Sequence, residues 1–138
     1  MLTFAKIMKK KILFIVNPVS GTSSKDKLPE IIESDLDHSK FEYQIRWTEY
    51  AGQATGIAKA AQDHYDIVVA AGGDGTVNEV ARGLIHSDTV MGIIPCGSGN
   101  GLARHLALPL NIKESINILN ACDIHEIDYG TINDYPFF

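Results

Sequence analysis

The chain has 138 residues, which is long enough for one domain with its own hydrophobic core. Apolar residues make up 45% and charged residues 21%, a globular balance that argues against a disordered chain. The net charge of −5 argues against a nucleic-acid partner, because such surfaces carry a basic excess. The sequence has no apolar run long enough to span a membrane. Its two cysteines show neither metal nor disulfide spacing, which favours a reducing, cytoplasmic setting.

The first predicted element is a strand, Ile12–Val16, which follows a cluster of lysines. This apolar run is too short for a signal peptide, and Asn17-Pro18 ends it. A buried strand preceded by solvated lysines fits the pattern better. Residues 1–8 carry no recognisable signal, and we expect them to form a flexible extension.

Short β-branched runs and segments of helical periodicity alternate along the rest of the chain. The strands predicted there are Phe41–Trp47, Asp66–Ala71 and Val90–Ile94. The predicted helices are Leu28–Leu36, Ala51–Gln62, Thr76–Ile85, one from about Gly99 that stops before Pro109, and one from about Ile112. Thr76 and Glu79 have capping-box spacing, and Asn111 has the position of an N-cap, so we predict helix starts at these two points.

The order of these elements predicts the fold class. Continuously apolar strands that each lead into a helix are typical of a parallel sheet covered on both faces. We therefore predict an α/β fold over residues 9–125, with three layers and a doubly wound, mostly parallel sheet. Ligands of such folds bind at the carboxyl ends of the strands.

The end of the sequence has a different pattern. Ile124–Ile132 is predicted to be a strand, Asn133-Asp134 a turn, and Tyr135 the start of a further strand. Exposed phenylalanines at a chain end are unusual in a complete domain. We expect residues 126–138 to be the truncated start of a β-rich second domain.

A glycine-rich loop, Gly72-Gly73-Asp74-Gly75-Thr76, follows the third predicted strand and leads into a helix. Glycines allow backbone N–H groups to approach phosphate oxygens, and the helix dipole favours an anion there. Bare phosphates would repel Asp74, so its carboxylate needs another purpose. It could hold Mg²⁺ through water, orient the loop through N–H bonds, or transfer a proton. The loop is neither a Walker A motif nor a G-x-G-x-x-G motif.

A second glycine loop, Gly97-Ser98-Gly99-Asn100-Gly101, follows the fourth predicted strand. Since both loops follow parallel strands, we expect them to lie at one sheet edge and to face one ligand. Asn17-Pro18-Val19-Ser20-Gly21 is a third loop at the same edge, and Thr48 follows the second strand there. Arg104 either neutralises phosphate charge or is an exposed structural arginine.

The three loops resemble one known family. Asn17-Pro18-x-Ser20-Gly21, the run from Gly72 to Val80, and Pro95-x-Gly97-Ser98-Gly99-Asn100 are similar to the diacylglycerol kinase catalytic-domain family. That family includes bacterial lipid kinases, sphingosine kinases and ceramide kinases. The resemblance begins at about Lys11 and covers the rest of the chain. The G-G-D-G-T run alone is shared with NAD kinases, whereas Asn78-Glu79-Val80 and the second loop favour the lipid kinases.

The resemblance implies ATP binding, with Mg²⁺ bridging the phosphates, and transfer of the γ-phosphoryl group to a lipid hydroxyl. It also suggests Asp74 as a catalytic candidate, and no protein ligand to a metal is assigned in this chain. The nucleotide-binding residues that we predict from the loops and the resemblance are Asn17, Thr48, Gly72, Gly73, Asp74, Gly75, Thr76, Val77, Asn78, Glu79, Gly97, Ser98, Gly99 and Asn100.

Asp128-x-Gly130 resembles the family's crossing into its second, β-rich domain. In bacterial members that domain supplies the general base, further metal ligands and the lipid pocket. We therefore expect the lipid acceptor to bind outside this sequence and these residues alone to be inactive. A cytoplasmic protein with peripheral contact at the inner membrane face is expected. We leave open whether it forms a homo-oligomer.

Two other functions stay open. One is an NAD kinase-like transferase, which uses a different acceptor. The other is a catalytically silent, nucleotide-binding regulatory module. An apolar acceptor pocket with an acidic base would favour the lipid kinase, and a site shaped for NAD would favour the NAD kinase. Loss of the acid would favour the silent module.

Overall fold

The structure is a computed structural model that describes residues 8–19 and 23–138. The expected extension, apart from Met8, therefore lies outside the described residues. Ser20 and Gly21 of the third loop also lie outside them. Met8 is exposed two residues before the first strand begins at Lys10.

The described residues form six strands, five α-helices and one short 3₁₀ helix. The strands are β1 (Lys10–Val16), β2 (Phe41–Trp47), β3 (Ile67–Gly72), β4 (Val90–Pro95), β5 (Gly130–Ile132) and β6 (Tyr135–Phe137). The helices are α1 (Leu28–Asp35), α2 (Gln53–Ala61), α3 (Asp74–Leu84), α4 (Gly101–His105) and α5 (Ile112–Ala121), with the 3₁₀ helix at Ser23–Lys27. The strands predicted before residue 100 are confirmed with small shifts at their ends.

Four strands form a parallel sheet in the order β2-β1-β3-β4. Alternate side chains of β1 enter two different cores, one on each face of the sheet. Ile12 and Phe14 pack with α1 and α5, whereas Leu13 and Ile15 pack with α2 and α3. The predicted doubly wound sheet is therefore confirmed, and the continuous apolar run of β1 reflects burial on both faces.

Helices α2 and α3 lie close together over one face of the sheet. A Cβ atom added at Gly83 of α3 would lie 2.5 Å from the Thr55 carbonyl oxygen and 2.7 Å from the Ala58 Cβ. Only a glycine allows the two backbones to approach this closely. This contact fixes the position of α3, whose first turn forms the first glycine loop.

The N-cap predicted for α5 is confirmed, because the Asn111 side chain accepts a hydrogen bond from the Glu114 N–H. The short helix after the second glycine loop is confirmed only over Gly101–His105. It ends there because Ala107 adopts a left-handed φ of 54°, which a continuing helix cannot contain.

The strand predicted at Ile124–Ile132 was too long. Only Gly130–Ile132 is a strand, and residues 123–129 have no regular structure. The three residues of β6 pair with the three residues of β5, so residues 124–129 have no partner strand within the described part of the chain. The turn between β5 and β6 is confirmed: Asn133 and Asp134 have φ values of 49° and 65°, as a tight hairpin requires.

Over residues 8–19 and 23–138, no helix combines the length and apolar character that a membrane span needs.

Candidate phosphate-binding site

The candidate site lies where the order of the strands in the sheet reverses. The chain moves from β1 outward to β2 and then returns to β3 on the other side of β1. The crevice outside the carboxyl ends of β1 and β3 is therefore the topological switch point, where α/β folds bind ligands. Asn17 and Ala71 meet there, because the Asn17 N–H donates to the Ala71 carbonyl at 3.2 Å.

The first glycine loop is shorter than its sequence suggests. Strand β3 ends at Gly72 and helix α3 begins at Asp74, so Gly73 is the residue between them. The first intrahelical bond runs from the Val77 N–H to the Gly73 carbonyl at 3.1 Å. The N–H groups from Gly73 to Thr76 precede it and have no partner inside the helix. No side chain of the described residues caps this end, so these N–H groups form the kind of helix start at which proteins bind anions.

The capping box predicted at Thr76 is wrong, because α3 begins two residues before it at Asp74. Thr76 lies in the first turn, only 4% exposed. Its hydroxyl covers Gly72: a Cβ atom added to that glycine would lie 2.6 Å from the Thr76 Oγ1. The threonine therefore packs the helix start against the end of β3 and leaves the helix N–H groups uncapped.

The two glycine loops lie at the same sheet edge, as predicted, and they also touch each other. A Cβ atom on Gly97 would lie 2.6 Å from the Gly73 Cα, and one on Gly73 would lie 3.3 Å from the Gly97 Cα. The Cys96 N–H also donates to the Gly72 carbonyl at 2.8 Å. Both loops therefore lie at the same sheet edge, and the absence of side chains at Gly73 and Gly97 allows their contact.

Asp74 joins the two loops directly. One carboxylate oxygen accepts the Gly101 N–H at 2.7 Å, and the other would lie 2.7 Å from a Cβ placed on Gly99. Of the three purposes considered for this carboxylate, the structure shows the backbone hydrogen bond. Asp74 remains exposed beside the uncapped helix start. Its catalytic and metal-related purposes stay predictions.

The second loop holds its own shape through Asn100. This residue is 8% exposed and has a left-handed φ of 54°. Its side chain accepts the Gly97 N–H at 3.0 Å and donates to the Gly97 carbonyl at 2.7 Å. Ser98 and Gly99 are exposed at the tip, and the Arg104 Nε donates to the Gly99 carbonyl at 2.8 Å. These contacts favour the interpretation of Arg104 as an exposed structural arginine.

Thr48 and Asn17 lie at the same edge. The Thr48 N–H donates to the Val16 carbonyl at 2.8 Å, and its hydroxyl lies 3.5 Å from the same oxygen. Thr48 is 8% exposed, so little of it is open to a ligand. The Asn17 side chain accepts the Val19 N–H at 2.9 Å and closes a local turn.

The predicted residues of α3 beyond its first turn have different surroundings. Val77 is buried in the core between the sheet and helices α2 and α3. Asn78 is half-buried. The Glu79 carboxylate accepts the Gly52 N–H at 3.1 Å, and its carbonyl accepts the Thr55 hydroxyl at 2.9 Å. The structure therefore directs the Glu79 side chain to the loop after β2 and away from the second glycine loop.

Sequence reasoning missed Lys25, which is 3% exposed. Its ammonium group donates to the carbonyl of Asn17, a residue at the switch point, at 2.8 Å. Burial raises the pKa of the nearby Cys96 thiol to about 11, and the charge of Lys25 acts against that increase. A lysine in a polar segment is normally interpreted as solvated, so the sequence offered no signal for this buried cation.

The site also fits Mg²⁺ that is bound together with phosphates. Among residues 8–19 and 23–138, no group of three or more potential ligand side chains is arranged around one point. Mg²⁺ commonly uses one or two carboxylates together with substrate phosphates. The exposed carboxylate of Asp74, beside the uncapped helix start, fits that arrangement.

Two curated relatives match most of this chain. A diacylglycerol kinase of Staphylococcus saprophyticus is 36% identical over 134 residues, which cover 94% of this chain and 44% of the relative. A diacylglycerol kinase of Staphylococcus aureus strain MRSA252 is 34% identical, with 94% and 42% covered. The chain thus spans less than half the length of these relatives.

A crystal structure of a diacylglycerol kinase from Bacillus anthracis strain Sterne has the same fold. It superposes with a TM-score of 0.80 and 28% identity, and the match covers 96% of this chain and 46% of the other. The profile of the diacylglycerol kinase catalytic domain matches residues 11–132. This match includes both glycine loops and all of the parallel sheet except Lys10, and the chain belongs to the diacylglycerol kinase catalytic domain family.

Proposed function

We propose that this chain is the nucleotide-binding part of an ATP-dependent lipid kinase. The enzyme would transfer the γ-phosphoryl group of ATP to a lipid hydroxyl, with an acceptor of the diacylglycerol type. The observation that carries the proposal is the contact between the two glycine loops, with Asp74 bonded across it. Membership of the diacylglycerol kinase family supports the reaction class.

The loops suit a nucleoside triphosphate for a physical reason. The N–H groups from Gly73 to Thr76 can donate to phosphate oxygens, and the dipole of α3 adds a favourable potential for an anion. Ser98 and Gly99 present a second exposed loop opposite them. Lys25 adds a positive charge beneath the crevice. The phosphates would bind between the loops, and Asn17 and Thr48 would contact the rest of the nucleotide.

In the proposed reaction, the loop residues of this chain would position the phosphates. When bound together with the phosphates, Mg²⁺ would supply positive charge that neutralises the charge developing during transfer. Asp74 would keep the second loop against the first, and its exposed carboxylate would face that cation. The N–H groups of α3 would orient the chain of phosphates for in-line transfer.

We infer that another part of the protein binds the lipid and provides the general base. The relatives are more than twice as long as the matched segment, which leaves them room for such a part. We also propose a cytoplasmic protein that contacts the membrane peripherally.

Transfer of radiolabelled phosphate from ATP tests this proposal. The acceptors would be vesicles that contain diacylglycerol, phosphatidylglycerol or a sphingoid base, with soluble NAD as a separate acceptor. We expect the whole protein that contains this chain to label a lipid, and we expect the 138 residues alone to bind ATP without labelling any acceptor.

The variant Asp74→Ala should lose nearly all transfer in the whole protein. Asp63→Ala is a matched control, because Asp63 is an exposed aspartate between α2 and β3 and is not part of the candidate site. Labelling of NAD in place of lipid would contradict the lipid kinase proposal, and so would wild-type turnover by Asp74→Ala.

A further inference from the structure

Trp47 is a large apolar side chain left partly uncovered at the ligand edge of the sheet. It is the last residue of β2 and shares a register row with Val16, Ala71 and Ile94. Those three side chains are fully buried, whereas Trp47 is 39% exposed. Among the described residues, Trp47 does not belong to either hydrophobic core.

The backbone around Trp47 is held in place. The next residue, Thr48, donates its N–H to the Val16 carbonyl at 2.8 Å. Further along the loop, the Glu49 N–H donates to the Gln53 side chain at 2.6 Å, and the Gln53 N–H donates to the Tyr50 carbonyl at 3.3 Å. These bonds fix the loop that follows Trp47 before any ligand binds.

The same loop is tied to the phosphate-binding helix. Glu79 of α3 accepts the Gly52 N–H at 3.1 Å, and Gly52 has a left-handed φ of 89° that suits glycine. Helix α3 also supplies the uncapped N–H groups of the first glycine loop. One helix therefore fixes the separation between the phosphate loops and the end of β2.

That separation suits the length of a nucleotide. The two glycine loops follow β3 and β4, so phosphates held between them lie on one side of the switch point. The rest of the nucleotide must extend from there, and the carboxyl ends of β1 and β2 lie on the other side. Trp47 is two strands away from β3, roughly 10 Å at ordinary strand spacing.

We propose that Trp47 is the platform on which the nucleobase of bound ATP stacks. This inference rests on the proposed function, because it needs a nucleoside triphosphate in the glycine loops. The indole face offers apolar area and a π-system to a flat purine ring. It would give ATP an affinity advantage over the same phosphates without a base.

Tryptophan fluorescence tests the proposal in the unaltered chain, because Trp47 is its only tryptophan. The chain would be titrated with Mg²⁺-ATP and, separately, with Mg²⁺-tripolyphosphate, while calorimetry measures the binding of each. We expect both ligands to bind and only ATP to quench and shift the emission. The emission measurement needs no variant, so it stands even if a substituted chain fails to fold.

Two substitutions then separate stacking from a general disturbance of the loop. Trp47→Ala should weaken ATP binding about tenfold, a usual loss when an aromatic base platform is removed, and should leave tripolyphosphate binding unchanged. Trp47→Phe should restore most of the ATP affinity because it keeps an aromatic face. Tyr135→Ala, which removes another exposed aromatic ring, should change neither affinity.

The outcomes distinguish this inference from the proposed function. If ATP binds the unaltered chain without a change in emission, and Trp47→Ala binds ATP with the same affinity, Trp47 is not the stacking platform. The proposed function is then unaffected. Equal weakening of ATP and tripolyphosphate by Trp47→Ala would also overturn the platform, because it would indicate a disturbed loop. If neither ligand binds the unaltered chain, the proposed function is wrong, and so is the stacking role of Trp47 that rests on it.

Discussion

At the scale of single residues, the contacts of Asp74 explain how one carboxylate can lie inside the candidate phosphate site. Its carboxylate accepts a hydrogen bond from the Gly101 N–H, so part of its negative charge is directed at the neighbouring loop. Hydrogen bonds to charged acceptors are stronger than those between neutral groups. The carboxylate therefore holds the second loop close to the first.

We predict that Asp74→Ala releases the second loop whereas Asp74→Asn keeps it. Alanine has no acceptor for the Gly101 N–H, but the asparagine oxygen can still accept it. Amide hydrogen exchange at Gly101 should become several-fold faster in Asp74→Ala, as expected for a bond worth about 1 kcal/mol. Equal exchange in Asp74→Ala and the unaltered chain would show that the carboxylate does not hold the loop.

Cys96 provides a second prediction at this scale. Burial raises the pKa of its thiol from 9.0 to about 11, so the reactive thiolate is scarce near neutral pH. Iodoacetamide should therefore modify the half-buried Cys122 well before Cys96 in the folded chain. Peptide mass spectrometry would follow both sites. Rapid modification of Cys96 under native conditions would contradict the packing around the second loop.

The same shift predicts the sign of a pH effect. Since the folded pKa of Cys96 lies above its ordinary value of 9.0, the stability that it contributes is complete below pH 9. That contribution is lost as the pH rises toward about 11. In denaturant titrations, Cys96→Ala should therefore lose less stability over this interval than the unaltered chain.

At the scale of elements, two helical glycines should respond in opposite ways to alanine. Gly83 faces the α2 backbone, where an added Cβ would lie 2.5 Å from the Thr55 carbonyl oxygen. Gly56 lies within α2, and a Cβ atom added there would have no neighbour within 4 Å. Gly83→Ala should lower the free energy of unfolding by about 1–3 kcal/mol through overpacking. Gly56→Ala should raise it by about 0.5–1 kcal/mol, because alanine favours helix.

Denaturant titration of both variants tests the packing of α2 on α3. The two substitutions are chemically identical, so any general effect of an added methyl group cancels in the comparison. Stabilisation by Gly83→Ala would show that the two helices do not approach each other as closely as described.

Most of the fold could be predicted from the sequence because burial on both faces leaves a strong pattern. The strands before residue 100 and the N-cap at Asn111 followed from apolar runs and capping chemistry. The start of α3 did not, because capping-box spacing at Thr76 does not show that the helix already begins at Asp74. The long strand at Ile124–Ile132 failed because β propensity cannot supply a pairing partner.

The candidate site was predicted only in part for similar reasons. The position of both glycine loops at one edge followed from the parallel topology. The buried state of Lys25 and the turn of Glu79 toward Gly52 depend on contacts between residues far apart in sequence. No local pattern records such contacts, so they could not be predicted from one sequence.

At the scale of the whole molecule, the central claim is that the sheet brings the two glycine loops together as one phosphate site. The order β2-β1-β3-β4 places the switch point beside them, and helix α3 joins this site to the loop after β2. Both hydrophobic cores share the sheet, so the geometry of the edge is set by the packing of the whole domain.

Titration of the ¹⁵N-labelled chain with Mg²⁺-ADP, followed by the backbone amide resonances, tests this claim most directly. The largest shifts should appear in both loops at once, at Gly73, Asp74 and Gly75 and at Ser98 and Gly99. They should saturate together with one dissociation constant. Saturable shifts confined to one loop, or located away from both, would contradict the claim that the two loops form one phosphate-binding site.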